Sequence, residues 1–266
     1  MRPAAGESMV MNRGMVSIIG AGPGDPELIT VKALKRIQAA DVILYDRLVS
    51  DALLAEAREC ALCIYCGKAP DLHSMSQEMI GRMLASHAAE GKQVVRLKGG
   101  DPFIFGRGGE EALVLASSGI PYEIIPGITS AVGASASSLI PLTHRGAASS
   151  FACVTGTGRD GRVSAVRWDL LAHSVDTLVI YMGISQLPQI QRELLLHGKA
   201  GHTPAALIER GTTSEERIVT GTLAELHTLA VTHHITNPAL IMIGQCVLVR
   251  EQLLQMQLTA NASMTG

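Results

Sequence analysis

The chain has 266 residues, 47% of them hydrophobic and 17% charged, with a formal net charge of −2 when its nine histidines are neutral. That length fits one large or two small domains with packed cores. The charge balance excludes a global field for nucleic acid, and aromatics at 3% leave few platforms for stacking bases. Residues 1–13 read as a loose leader without the apolar core of a signal peptide. No apolar run reaches membrane-spanning length, and an odd count of five cysteines argues for a reducing compartment rather than a disulfide framework. A cytoplasmic protein is the simplest expectation.

Val16–Ile19 reads as a short strand ending in Gly20-Ala21-Gly22-Pro23-Gly24-Asp25-Pro26. Asp25 suits a helix cap and Pro26 a first helical position. A helix over Glu27–Ala40 follows, with Leu28, Val31, Leu34 and Ile37 at helical spacing. The glycine loop is not the dinucleotide fingerprint, because Asp25 stands where the third glycine belongs. A carboxylate there sits poorly against a pyrophosphate, so an uncharged or cationic ligand fits better.

Val42–Tyr45 predicts a second strand delivering Asp46 and Arg47, and Leu62–Cys66 a third delivering Gly67 and Lys68. If Cys60–Cys66 is extended, Cys63 faces away from Cys60 and Cys66, so the three sulfurs cannot converge and no metal site is expected. Ser74 to Gln77 resembles a capping box opening a helix to Glu90 and Gly91. Gln93–Lys98 predicts a fourth strand, Gly109–Ser118 a helix and Tyr122–Ile125 a fifth strand, the alternation of a largely parallel α/β sheet.

The small residues Ala131–Ser138 predict a tightly packed helix, and Ile140-Pro141-Leu142-Thr143-His144-Arg145-Gly146 then breaks the pattern. We therefore expect an N-terminal domain over 14–140, a C-terminal domain over 141–255 and a polar tail over 256–266. The second series predicts strands at Phe151–Thr155, Thr177–Tyr181, Pro204–Glu209, Arg217–Gly221 and Ala239–Ile243. Helices are expected over Ser185–His197 and to about Ala230.

Opposed charge is densest in Arg96–Glu111, where Arg96, Lys98 and Arg107 crowd together with Asp101, Glu110 and Glu111 around a Gly-Gly turn. A turn needs glycine and proline but not such charge. Its place at the carboxyl end of a strand is where open α/β sheets hold ligands. This stretch reads as the floor of an active site.

Gly20-Ala-Gly-Pro-Gly-Asp-Pro, Tyr45-Asp-Arg-Leu-Val, Arg96 through Glu111, Pro126-Gly-Ile-Thr-Ser and Ile140-Pro-Leu-Thr-His-Arg together resemble the tetrapyrrole methylases. Tyr181-Met-Gly and Glu209-Arg-Gly-Thr-Thr extend the match, which covers residues 15–250. The resemblance implies two α/β domains with S-adenosylmethionine folded into the cleft between them, usually in a homodimer. It implies methylation of uroporphyrinogen III at two ring carbons to precorrin-2, with S-adenosylhomocysteine as by-product. Only about a dozen residues precede the first strand, so the chain reads as lacking the N-terminal domain that some relatives add.

Carried over by position, the donor-binding residues are Pro23, Gly99, Gly100, Asp101, Ile104, Thr129, Ser130, Met182 and Gly211. The resemblance makes Asp46 the proton acceptor and Lys68 the proton donor, with Arg107 also catalytic; a carboxylate-binding lysine remains the other reading of Lys68. Arg47, Glu110, His144 and Arg145 are expected at the tetrapyrrole. Arginine is a poor base, so Arg107 suits a carboxylate clamp. Arg47, Lys68, Lys98, Arg107 and Arg145 together would hold a polycarboxylate on an acidic chain. One departure is visible: Thr157 stands where the family often has histidine. Three alternatives stay open, namely a sister methylase acting on a later corrin intermediate, a nicotinamide-dependent oxidoreductase and a non-catalytic tetrapyrrole carrier.

Overall fold

A computed structural model describes residues 14–67, 75–158 and 165–264. These fall into two compact units, one of residues 14–22 with Pro26–Ile128 and one of Pro23–Asp25 with residues 129–264. The leader and Lys68 lie outside the described residues.

The first unit alternates β1 (Met15–Gly20), α1 (Val31–Ala39), β2 (Val42–Tyr45), α2 (Asp51–Ala55), β3 (Leu62–Tyr65), α3 (Gln77–Ala89), β4 (Gln93–Lys98), α4 (Gly108–Ser117) and β5 (Tyr122–Ile125). The strands lie in the order β3-β2-β4-β1-β5, all parallel, as expected. Both faces are covered, which is why β1 and β2 are nearly continuous apolar runs. Val16, Ile18, Val94 and Leu44 pack with Ile80, Leu84 and Leu115 of α3 and α4. Ile19, Ile43, Val95 and Leu97 pack with Ala33, Ile37 and Leu53 of α1 and α2. Successive β4 residues thus alternate between faces, and Arg96 and Lys98 fall on the α3/α4 side with Val94.

Two caps differ from the sequence expectation. Asp25 does not cap α1: Pro26–Leu28 forms a separate 3₁₀ turn, and the Thr30 hydroxyl accepts from the Ala33 amide instead. Ser76, immediately before Gln77, caps α3 through the Met79 amide. In both places the residue adjoining the first helical turn is the one whose oxygen can reach its free amides.

The second unit contains α5 (Ser130–Ser137), β6 (Phe151–Thr155), α6 (Trp168–Ser174), β7 (Thr177–Tyr181), α7 (Leu187–Leu196), β8 (Pro204–Glu209), β9 (Arg217–Thr222), α8 (Leu226–Thr232), β10 (Ala239–Ile243) and α9 (Val247–Met264). Its sheet runs β6-β7-β10-β8-β9, and only β6 and β7 pair in parallel. The short 210–216 connection makes β8 and β9 a hairpin, and β10 inserts antiparallel between β7 and β8. The chain therefore does not repeat its first architecture.

Helix α5 belongs to this unit: Ala131, Ala134 and Ile140 pack with Val179, Ala206, Ile208 and Met242. The expected boundary at 140 instead follows the loop break, downstream of this packing. The stretch expected as a polar tail is helical to Met264, because Val247–Met264 carries Leu, Gln, Met, Glu and Ala without proline or glycine. Arg250 Nη1 donates to the Ser138 carbonyl at 2.6 Å, tying α9 to the end of α5.

Candidate active site

In the first unit the loops after β1, β4 and β5 approach one another backbone to backbone. Gly22 and Gly100 exchange hydrogen bonds at 3.2 and 2.6 Å. A Cβ on Gly20 would come within 2.4 Å of the Gly100 oxygen and 2.5 Å of the Gly127 Cα. The glycine loop is thus explained by close approach of three segments of the chain, with no need for a dinucleotide.

Asp101 holds this junction. Its Oδ1 accepts from the Phe103 and Ile104 amides at 2.8 and 3.2 Å, and its Oδ2 from Gly127 N at 3.0 Å. The carboxylate shapes the loop that carries Gly99, Gly100 and Ile104 and leaves one negative group at the rim.

Beneath lies an ionic cluster. Arg96 Nη2 donates to Asp46 Oδ1 at 2.6 Å, and Arg96 Nε and Lys98 Nζ donate to the same Glu111 oxygen at 3.0 and 3.1 Å. Lys98 Nζ stands 3.9 Å from Asp46 Oδ2. The side chains of Arg96, Lys98 and Glu111 are 1%, 3% and 0% exposed, and that of Asp46 is 32% exposed, so the cluster reaches solvent through Asp46. Glu111 Oε2 is buried without a hydrogen-bond partner, a state costing roughly 1–3 kcal/mol. Burial and the like charge of Arg96 push Lys98 below its ordinary value. Burial works against the Arg96 charge, yet Glu111 and Asp46 raise it overall.

Lys98 is therefore not a surface cation awaiting substrate carboxylates, as its sequence position suggested. Period-two alternation turns it inward from the strand end to Glu111. The cluster could have been found from an arginine inside Val94-Val95-Arg96-Leu97, which only buried carboxylates can compensate.

Arg107 pairs bidentately with Glu110, at 2.8 and 2.7 Å, on the exposed start of α4, and that bond raises its already high value. Arg47, His144 and Arg145 are exposed; His144 and Ala148 close the turn that presents Arg145.

Pro23, Thr129, Ser130, Met182 and Gly211 fall in the second unit. The Tyr181 hydroxyl, which sequence reasoning passed over, lies 2.6 Å from Thr129 Oγ1 and accepts from Ala131 N at 2.8 Å. It ties the end of β7 to the start of α5. Thr157 donates its hydroxyl to the Met182 carbonyl at 2.6 Å, so the departure at 157 has a defined task. A Cβ on Gly211 would lie 2.6 Å from the Ala134 Cβ, and the Asp25 amide donates to Thr212 Oγ1 at 3.1 Å.

Positive φ is taken by Phe105 and Arg107 in the first unit and by Leu139, Met182, Arg210, Thr212 and His234 in the second, between 48° and 69°. Such conformations in non-glycine residues concentrate at ligand sites. Within the first unit, exposed apolar Ile104, the glycine backbone rims and the engaged Asp101 carboxylate suit a sulfonium cation better than a phosphate.

The profile of the Tetrapyrrole (Corrin/Porphyrin) Methylases matches residues 15–227. The chain is 56% identical to "Uroporphyrinogen-III C-methyltransferase" of Bacillus subtilis (strain 168), over 88% of this chain and 91% of that one. It is 53% identical to the protein of that name in Priestia megaterium, over 88% and 98%. Against "Siroheme synthase" of Pseudomonas putida (strain W619) the identity is 51% over 92% of this chain and 52% of that one. The crystal structure of uroporphyrin-III C-methyl transferase from Thermus thermophilus complexed with S-adenyl homocysteine aligns with TM-score 0.76 and 41% identity, covering 88% of this chain and 93% of that one. A cobalt precorrin-4 methyltransferase aligns with TM-score 0.80 at 30% identity, over 91% and 99%.

Proposed function

The chain belongs to the tetrapyrrole (corrin/porphyrin) methylase family, and from that premise we propose that it transfers methyl groups from S-adenosylmethionine to C-2 and C-7 of uroporphyrinogen III, giving precorrin-2. The observation that carries this is the near-full-length identity to two enzymes named for that reaction. Overall shape does not separate it from a sister methylase of a later intermediate, but the lower identity to the precorrin-4 enzyme favours the early substrate.

The donor-binding set is Pro23, Gly99, Gly100, Asp101, Ile104, Thr129, Ser130, Met182 and Gly211. When bound, the donor supplies a methyl group activated on a sulfonium sulfur. The residues around it need only align, exclude water and dispose of a proton, because the acceptor is an electron-rich pyrrole carbon. Ile104 and Met182 present apolar surface suited to excluding water. Arg47, Arg107, His144 and Arg145 hold the carboxylates of the macrocycle, and Glu110 keeps the Arg107 fork oriented. Asp46, the solvent-reaching member of the buried cluster, takes the proton that leaves the methylated ring. Lys68 serves as proton donor in this scheme.

The reading carries with it a homodimer in the cytoplasm. Five cysteines suit a reducing compartment, and among the described residues no helix is long and apolar enough to cross a membrane. Anaerobic incubation of uroporphyrinogen III with isotopically labelled S-adenosylmethionine tests the activity. Two methyl groups on the product are expected by mass; none, or transfer only to a later corrin precursor, overturns it. Sedimentation of the purified chain checks the dimer.

A further inference from the structure

The buried cluster contains two cations and two carboxylates, and three of its members have no contact with solvent to speak of. Purely structural ion pairs are easily replaced by apolar packing, and a half-satisfied buried network is a poor way to stabilise a fold. Here both cations converge on one oxygen of Glu111, while the other oxygen has no partner. The same cations face Asp46, one by a 2.6 Å hydrogen bond and one across 3.9 Å.

We propose that Glu111 is a positioning residue for the methyl transfer, acting through Arg96 and Lys98 to balance the charge around Asp46 and hold its carboxylate in one orientation. The inference rests on the reading of Asp46 as proton acceptor. The geometry supports it from three elements: β4 supplies both cations, α4 supplies Glu111, and the residue after β2 supplies Asp46. From the residue after β3 the buried Cys66 thiol faces the same charges; burial chiefly pushes it up, so it stays a neutral neighbour. Arg107 adds positive field at Glu111 from the start of α4. Lys98 is held below its ordinary value chiefly by burial, with Glu111 and Asp46 acting in the opposite direction.

Charge balance gives a signed test. In Glu111→Gln the two cations face Asp46 alone, and a carboxylate amid uncompensated positive charge gives up its proton more readily and is a weaker base. In Lys98→Met one cation is lost and the opposite follows. Glu111→Gln/Lys98→Met leaves a single Arg96–Asp46 pair and restores neutrality.

The experiment measures the anaerobic single-turnover methylation rate against pH for wild type, Glu111→Gln, Lys98→Met, the double variant, Glu111→Asp and Asp46→Asn. Binding of S-adenosylhomocysteine reports that each variant is folded. The acid limb of Glu111→Gln is expected to move to lower pH with at least a tenfold lower plateau, and that of Lys98→Met to higher pH. The double variant should return toward wild type, Glu111→Asp should recover part of the rate, and KM for both substrates should stay within about twofold. Limbs that stay put, or move in the same direction, in variants that bind S-adenosylhomocysteine overturn the proposal. If neither single variant folds, Glu111→Asp and the double variant, both charge-neutral, are each expected to keep the acid limb near the wild-type pH, and a limb displaced in either overturns the proposal. An active Asp46→Asn removes the proton-acceptor reading and this inference with it. An inactive Asp46→Asn with unmoved limbs removes the inference alone.

Discussion

Two buried glutamates, one closing a strand of the second sheet and one on a helix packed against the first, make opposite use of similar surroundings. Glu209, closing β8, is 2% exposed and fully engaged: Oε1 accepts from Thr236 N and Oγ1 at 2.7 Å each, and Oε2 from Arg217 Nε at 2.6 Å. Glu111, on α4, is 0% exposed and receives both cations on one oxygen, leaving the other unpaired. Burial costs both carboxylates their hydration. At Glu209 local hydrogen bonds offset that cost and secure the strand end. At Glu111 the cost is met only in part, and the charge is relayed to a group that water can reach. A satisfied buried charge therefore marks architecture here, and an unsatisfied one marks a candidate working site.

The comparison breaks first at Asp46. Asp46→Asn is expected to lower the methylation rate about a hundredfold or more, the range for a lost general base, while leaving binding of S-adenosylhomocysteine intact. Near-normal turnover would falsify its assignment and remove the functional half of the contrast.

Glu209→Gln should act on stability instead. Loss of the buried negative charge on which three hydrogen bonds converge is expected to cost about 1–3 kcal/mol in denaturant unfolding at neutral pH. Burial works against the Glu209 charge, but the bonds from Thr236 and Arg217 prevail and hold it below the ordinary value of 4.5. A folded-state value lowered in this way stabilises fully above the unfolded value and is lost as pH falls through the folded one. The gap between wild type and Glu209→Gln should thus close below pH 4.5. A gap that persists there would show Glu209 acting by shape rather than charge.

A smaller effect is expected at Thr157. Thr157→Ala removes one hydrogen bond to the Met182 carbonyl, worth about 0.5–1.5 kcal/mol. It should raise KM for S-adenosylmethionine several-fold, with Thr157→Ser near wild type; an unchanged KM would make the contact incidental. Smallest of all, Arg82→Ala breaks an exposed pair with Glu78, with both side chains over two-thirds exposed. Its unfolding free energy should stay within about 0.5 kcal/mol of wild type. A larger loss there would mean that exposure does not separate the ionic groups as argued.

Much was legible before any coordinates. The β strands at Val42–Tyr45, Gln93–Lys98, Tyr122–Ile125, Phe151–Thr155, Thr177–Tyr181, Pro204–Glu209 and Ala239–Ile243 match residue for residue, because buried strands are apolar runs bounded by turn residues. The family was legible for a related reason: its loop motifs are short, contiguous and in order. Less was legible wherever partners lie far apart in the chain. Asp25 reads as a cap until Thr30 is seen beside the helix, and the run after residue 255 reads as a tail although its composition suits the helix it joins.

What the sequence by itself determined is the set of elements, the parallel order implied by their alternation in the first half, and the family to which the loops belong. Local periodicity and contiguous motifs carry that information within a few residues. Only the tertiary structure decided that the second sheet is largely antiparallel, that Lys98 turns inward, and that Arg96 joins Glu111 and Asp46 across fifteen and fifty positions of chain. Strand pairing and buried charge are long-range properties, since a charge is compensated by whatever group packing brings within hydrogen-bond reach, and that group need not be a neighbour in sequence.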